Sequence, residues 1–140
     1  MTSQFEELLE ALGKVFRLAL HVDHMNACSI QVREGLVIQL QPDMAQENLW
    51  LFSKITEVPP GKFRENVLRE ALKANGMRDP VTGVLGFWAP TGELALCQKY
   101  PLNVLNGERL SGFLGAFLDM ANSWQKAIES GQSAPPQSLR

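Results

Sequence analysis

Apolar residues recur at steps of three and four along the first part of the chain, which is the period of an amphipathic helix. They predict a helix over about residues 3–18, whose buried face consists of Phe5, Leu8, Leu9, Leu12, Val15 and Phe16. Ser3 and Glu6 fit a capping box, in which two side chains satisfy free amide groups at the helix start. The first element is therefore a helix with an apolar face.

The pattern then changes to alternation, which is typical of β-strands with one dry face and one wetter face. Residues 27–32 and 36–41 alternate in this way on either side of the short turn Arg33-Glu34-Gly35, so they predict a β-hairpin. Residues 49–55 are apolar at nearly every position. They predict a third strand that is covered on both faces.

A break at residues 59–61, Pro-Pro-Gly, precedes a second helix over residues 63–75. Residues 84–89 and 94–100 predict a second hairpin, and both of its faces are largely apolar. A last helix is predicted over residues 108–128.

Asn106 is the predicted cap of this last helix. The fold class is therefore α+β, with the order α-β-β-β-α-β-β-α and a twisted antiparallel sheet packed by helices. One domain is expected over residues 1–130. Residues 131–140 lack core-forming side chains and predict a disordered tail.

Composition and charge exclude several classes of protein. Of the 140 residues, 45% are hydrophobic, which is enough for one core, and the formal net charge of -2 offers no basic stripe for nucleic acid. No apolar run approaches the roughly 20 residues needed to cross a bilayer. The acidic amino terminus lacks the positive charge of a secretory signal. A cytoplasmic domain that neither binds nucleic acid nor inserts into a membrane is expected.

Candidate chemistry is sparse. The cluster with metal-ligand side chains lies before the first strand and contains His21, Asp23, His24 and Cys28. Its spacing matches no closed zinc module. Cys28 or Cys97 could act with His24 as a nucleophilic pair only if the thiol were exposed and its pKa lowered, whereas both cysteines alternate with apolar strand neighbours. Because phosphate-binding glycine loops are also absent, we expect no catalytic residue, no metal and no cofactor.

The whole pattern resembles a class I type III secretion chaperone of the Tir-chaperone (CesT-like) family. The resemblance depends on the small size, the acidic balance, the order of elements, the first helix, the strands Ile30-Gln31-Val32 and Leu36 to Leu40, and the long final helix after Leu102-Asn103. It covers about residues 3–130. The cluster from His21 to His24 and the proline-containing tail do not map onto the family.

The resemblance implies a cytoplasmic homodimer without enzymatic activity, which binds the amino-terminal region of a secreted effector in extended form and keeps it competent for type III secretion. It also leaves room for contact with the secretion ATPase or another part of the apparatus. The second helix and second hairpin are implied to form the dimer interface, here Phe63, Val67, Leu68, Ala71, Leu72 and Phe87. The first helix and the sheet are implied to bind effector, partly by strand addition, here through Phe5, Leu8, Leu12, Leu36, Ile38 and Leu40.

The residues themselves support part of this interpretation. Surplus apolar surface on the second helix and hairpin is what a dimer would cover, and a free sheet edge could accept an extended peptide. Two other functions stay open. One is a YbjN-like adaptor domain that binds a protein partner without secretion; the other is a small ligand-binding or enzymatic α+β domain, which requires a polar pocket.

Overall fold

Helices and strands follow each other in the predicted order in the computed structural model, which describes residues 3–33, 36–77 and 82–136. The helices are α1 (Gln4–Phe16), α2 (Lys62–Gly76) and α3 (Gly107–Glu129), and a 3₁₀ turn, Leu102–Val104, precedes α3. The strands are β1 (Cys28–Arg33), β2 (Leu36–Pro42), β3 (Asn48–Glu57), β4 (Val84–Trp88) and β5 (Glu93–Pro101). The α+β fold class is confirmed, while Gly35 of the first predicted turn lies outside the described residues.

Local side-chain chemistry fixes where the helices begin. The Ser3 hydroxyl accepts a hydrogen bond from the Glu6 amide at 3.1 Å and so caps α1. The Asn106 side chain accepts one from the Arg109 amide at 2.8 Å and caps α3. Each bond satisfies an amide that has no partner within its helix. Both predicted caps are confirmed.

The five strands form one antiparallel sheet in the order β1-β2-β3-β5-β4, so β1 and β4 are its edges. Ile30 lies opposite Ile38 and Leu40 opposite Leu51, which places these side chains on the same face. This inner face is buried beneath the helices. On the outer face β3 presents Trp50 and Phe52, which keep partial exposure. The expectation that β3 is covered on both faces therefore differs from the structure of the single chain.

The core lies between the inner face of the sheet and the helices. Trp124 and Phe117 of α3 are fully buried, and Gln125 donates a hydrogen bond to the Ile55 carbonyl of β3 at 3.2 Å. Helices α1 and α3 cross closely at Gly107, where a Cβ atom would lie 3.0 Å from the Ala11 Cβ. No helix among the described residues has the length and apolarity needed to span a membrane.

The segment that follows α3 packs onto the fold. Gly131 has a φ of 86°, a conformation that favours glycine, and the Gln132 amide donates to the Ala127 carbonyl at 2.8 Å. Ala134 and Pro135 are buried as a result. Two small apolar residues thus lie against the end of α3. The disordered tail over residues 131–140 stays a prediction, and residues 137–140 lie outside the described part.

The Asp43 carboxylate organises the connection between β2 and β3. It accepts hydrogen bonds from the Glu47 amide and from the Asn48 side chain, each at 2.9 Å. The Asn48 side-chain bond, followed by the Glu47 amide bond, lowers the pKa of Asp43 below its usual value. The charged carboxylate is therefore the form that stabilises this loop.

Acid should remove this contribution. Because the pKa of Asp43 is lower in the folded protein than in the unfolded chain, its stabilising effect is present above the unfolded pKa and is lost as the pH falls through the folded value. We expect Asp43→Ala to destabilise the protein at pH 7 and the difference from wild type to shrink below about pH 4. Urea unfolding between pH 7 and pH 3 measures this, and a difference that stays constant with pH would contradict it.

Candidate functional site

An apolar groove lies beside the edge strand β1, between the end of α1 and the middle of α3. Its volume is about 240 Å³. The residues that form it are Phe16, Leu18, Ile30, Gln31, Ile38, Leu114 and Leu118. All but Gln31 are apolar, so the groove can receive an apolar side chain but offers few polar groups for chemistry. We call it the edge groove.

The outer side of β1 adjoins this groove. At its start, Ala27 exchanges two hydrogen bonds with Asp23, one from each residue's amide, at 3.1 Å and 2.8 Å. Since alternate residues of an edge strand direct both N–H and C=O away from the sheet, Ser29 and Gln31 present theirs outward. Both residues are exposed, and within the described part of the chain β1 has β2 as its only strand neighbour. Four backbone groups are therefore available beside the edge groove.

The residues expected to contact effector lie mostly below this surface. All six are buried, and none exposes more than 6% of its area: Phe5, Leu8, Leu12, Leu36, Ile38 and Leu40. Ile38 lines the edge groove, whereas the other five do not. Direct contact between these side chains and the effector stays a prediction. Because they are buried, the apolar surface that a partner can reach is formed mainly by neighbouring residues.

Sequence reasoning did not assign six residues of the edge groove to a binding surface: Phe16, Leu18, Ile30, Gln31, Leu114 and Leu118. Phe16 belongs to the apolar face predicted for the first helix, and Ile30 and Gln31 belong to the first predicted strand. Leu18 follows the end of α1 and is 54% exposed. The connection between α1 and β1 also contains Leu20 and Val22, so no local signal in the sequence distinguishes Leu18.

The residues expected at a dimer interface divide into two groups. Val67 and Ala71 are buried within their own chain, while Phe63 and Leu68 are half-buried. Leu72 is 71% exposed and Phe87 is 37% exposed. Val67 and Ala71 are the buried residues of α2, which packs beside β4, whereas Leu72 is directed to solvent. The prediction that all six form an interface stays a prediction.

The outer face of the sheet adds aromatic surface next to α2. Trp88 and Phe52 meet edge to face with ring centroids 5.5 Å apart. The Lys54 ammonium lies 5.3 Å from the centroid of Trp88, and that of Lys99 lies 5.4 Å from the centroid of Trp50. Cation–π contacts of this kind hold rings at the surface. We call Trp50, Phe52, Val84 and Trp88 the aromatic face.

Two residues of the cluster with metal-ligand side chains, Asp23 and Cys28, have structural roles in the fold. The Asp23 carboxylate accepts from the Met25 amide at 2.8 Å as well as from Ala27. Cys28 is buried, and burial raises the pKa of its thiol. In the described ranges no group of three His, Cys, Asp or Glu side chains is placed to hold a metal ion.

The second cysteine differs in position from the first. Cys97 is half-buried on the outer face, opposite Phe52 and Val84. Burial raises the pKa of its thiol too. A raised pKa leaves less thiolate at neutral pH, which is the opposite of what a cysteine nucleophile requires.

A broader depression of about 680 Å³ lies between α1 and the connection that follows it. Its lining includes Glu10 and Lys14, whose side chains are exposed and whose charged atoms are 3.8 Å apart. Exposed ion pairs of this kind contribute little to stability. The edge groove, which is apolar and adjoins open backbone groups, is therefore the better candidate site.

Solved structures share this fold. The complex of ExsC and ExsE matches with a TM-score of 0.76 and 22% identity, covering 90% of this chain and 94% of that chain. The HopA1-SchA chaperone-effector complex matches with a TM-score of 0.72 and 19% identity, covering 89% of this chain and 94% of that chain. The ExoT-SpcS complex from Pseudomonas aeruginosa matches with a TM-score of 0.64 and 20% identity, covering 87% of this chain and 97% of that chain. At these identities the matches establish the fold, that of small α+β proteins found in protein–protein complexes.

The sequence provides the assignment to a family. Residues 7–125 match the model of the Tir chaperone protein (CesT) family, and the chain belongs to that family. No curated protein matches the sequence. The resemblance inferred from the order of elements is confirmed, and the family is one of chaperones rather than of YbjN-like adaptors or small-molecule enzymes.

Proposed function

We propose that this protein is a cytoplasmic type III secretion chaperone that holds the amino-terminal region of a secreted effector in extended form. The open edge of β1 beside the edge groove is the observation that carries the proposal. An added strand gains affinity from main-chain hydrogen bonds and selectivity from pockets for alternate side chains. Membership of the Tir chaperone protein family supports the same role.

The two parts of the site act on different features of the effector. Ser29 and Gln31 pair with its backbone, whatever its sequence. The edge groove receives an apolar side chain of the added strand, and at about 240 Å³ it is smaller than the roughly 300–1,000 Å³ typical of small-molecule sites. The effector segment stays unfolded because its backbone bonds are made with the chaperone, and no covalent step is involved.

The functional unit in this proposal is a homodimer. Val84 and Trp88 of the aromatic face, together with Leu72 of α2, leave apolar surface at the β4 side of the sheet, away from β1. A second copy covering that surface would leave both β1 edges free, so one effector chain could contact two edge grooves. The proposed protein has no enzymatic activity, in keeping with the raised pKa values of both thiols.

Ser29→Pro tests strand addition directly. Proline removes the outward N–H of Ser29, and proline is tolerated where an edge N–H faces solvent. We expect effector binding to weaken about tenfold, since one hydrogen bond contributes about 1 kcal/mol and the proline ring also hinders the added strand. The measurement is fluorescence anisotropy with a labelled peptide from the amino-terminal region of the bound effector.

Ser29→Ala is the matched control, because it loses the hydroxyl and retains the backbone N–H. It should bind the peptide like wild type, and both variants should unfold at nearly the same urea concentration as wild type. Equal binding by Ser29→Pro and Ser29→Ala would show that the effector does not pair with β1.

A further inference from the structure

At the opposite edge of the sheet, the outward N–H and C=O groups of one β4 residue, Leu85, are both hydrogen-bonded to a side chain. The Leu85 amide donates to the Asn75 Oδ1 atom at 2.9 Å, and the Asn75 Nδ2 atom donates to the Leu85 carbonyl at 2.8 Å. Leu85 lies opposite Leu96 of β5 in the ladder. Its N–H and C=O both point away from β5, since both are bonded to a side chain of α2.

This exchange of two hydrogen bonds is the pattern made by a paired residue of an antiparallel strand. The Asn75 carboxamide therefore takes the place of one residue of an added strand. Because β4 has five residues, the same alternation leaves Phe87 as its other outward residue. The Arg64 guanidinium lies 4.8 Å from the centre of the Phe87 ring, and Arg64 Nε donates to the Val58 carbonyl at 2.7 Å. Both ends of α2 thus contact the β4 edge.

We propose that Asn75 closes the β4 edge to strand addition and thereby directs extended partners to β1. The inference rests on the proposed function, because it assumes that β1 is the edge used for binding. The contrast between the edges supports it. The backbone of Leu85 is bonded to a helix side chain, whereas Ser29 and Gln31 of β1 are exposed and direct their backbone groups away from β2.

The role follows from a general hazard of open sheets. An exposed edge pairs with any extended chain, including the edge of another molecule. A protein that uses one edge for binding therefore needs its second edge closed, or partners would bind at two places and molecules would associate edge to edge. The Asn75 side chain meets this need at Leu85, and Arg64 at the other end of α2 lies over Phe87.

Asn75→Leu tests the inference, since it retains side-chain volume and removes both hydrogen-bonding groups. The probe is a synthetic ten-residue peptide of alternating valine and threonine with a lysine at each end and a spin label at one terminus. In wild type, the label should broaden the amide signals of β1 and leave those of Leu85 and Phe87 sharp. In Asn75→Leu the signals of both edges should be lost.

Gln125→Leu is the matched control. It removes a carboxamide on α3 that bonds to a backbone carbonyl of the central strand β3, so it weakens the fold without opening an edge. Its β4 signals should stay sharp. Asn75→Asp, which keeps an acceptor for the Leu85 amide and loses the donor to the Leu85 carbonyl, is the second variant if Asn75→Leu does not fold, and it should show partial broadening at β4.

Each outcome is informative. Suppose that the β1 signals broaden in every protein, but the β4 signals broaden in neither Asn75 variant. This result overturns the role of Asn75 and leaves the proposed function intact. Broadening of β4 in Gln125→Leu as well assigns the effect to lower stability and also overturns it. Absence of broadening at β1 in wild type overturns strand addition itself, and the inference about Asn75 with it.

Discussion

Leu18→Asp is expected to weaken effector binding by about a hundredfold or more and to leave the free energy of unfolding almost unchanged. Leu18 lines the edge groove and is more than half exposed in the free protein, so an aspartate there stays hydrated before binding. An apolar effector side chain in the groove would bury that carboxylate without a partner, which costs several kcal/mol. Each 1.4 kcal/mol corresponds to a factor of ten.

The series that checks this prediction compares three variants by anisotropy and urea unfolding. Leu18→Ala should lose less affinity than Leu18→Asp, since it removes contact area without adding a charge. Met44→Asp is the control, because Met44 is fully exposed in the loop between β2 and β3 and does not line the groove. Unchanged affinity of Leu18→Asp would exclude the edge groove from the binding surface.

Leu72→Glu is expected to convert the proposed homodimer into a folded monomer. The side chain is 71% exposed in the single chain, so the substitution removes little from the core of the protomer. At a covered interface the glutamate would be an unpaired charge, and breaking an interface in this way costs several kcal/mol. Light scattering at tens of micromolar protein measures the change in mass.

Two further variants make this experiment decisive. Val15→Glu on α1, at 48% exposure, introduces the same charge away from α2 and should remain dimeric. Trp88→Glu should dissociate the dimer if the aromatic face is part of the interface. A dimer that survives Leu72→Glu but not Trp88→Glu would move the interface from α2 to the sheet. A wild-type protein that is monomeric at this concentration would contradict the proposed assembly.

The order of elements was predictable because each element carries its own local pattern. The cap at Ser3, the cap at Asn106 and the alternation of β2 depend on residues close in sequence, and the structure confirms each. The position of β5 between β3 and β4 depends on pairing between residues more than 40 positions apart, such as Leu49 with Tyr100. No local pattern encodes that order, so the sequence did not identify β1 and β4 as edges.

Exposure was harder to predict than secondary structure. A helical stripe shows that residues share a face, but not whether another part of the chain covers it. Val67 and Ala71 of α2 turned out to be buried, whereas Leu72, one position further, is exposed. A close contact between helices is equally hard to predict: α1 and α3 meet at Gly107, a residue that no helical pattern distinguishes.

The hydrogen bonds between Asp23 and Ala27 have a consequence for the range of partners. They occupy the backbone at the start of β1, and a register shift between Gln31 and Arg33 interrupts the ladder at its other end. The regular edge that remains is only a few residues long. Under the proposed function, an effector therefore needs only one short extended stretch, with one bulky aliphatic residue at the position that faces the edge groove. In the proposed function, so short a contact restricts the sequence of the partner at one position only.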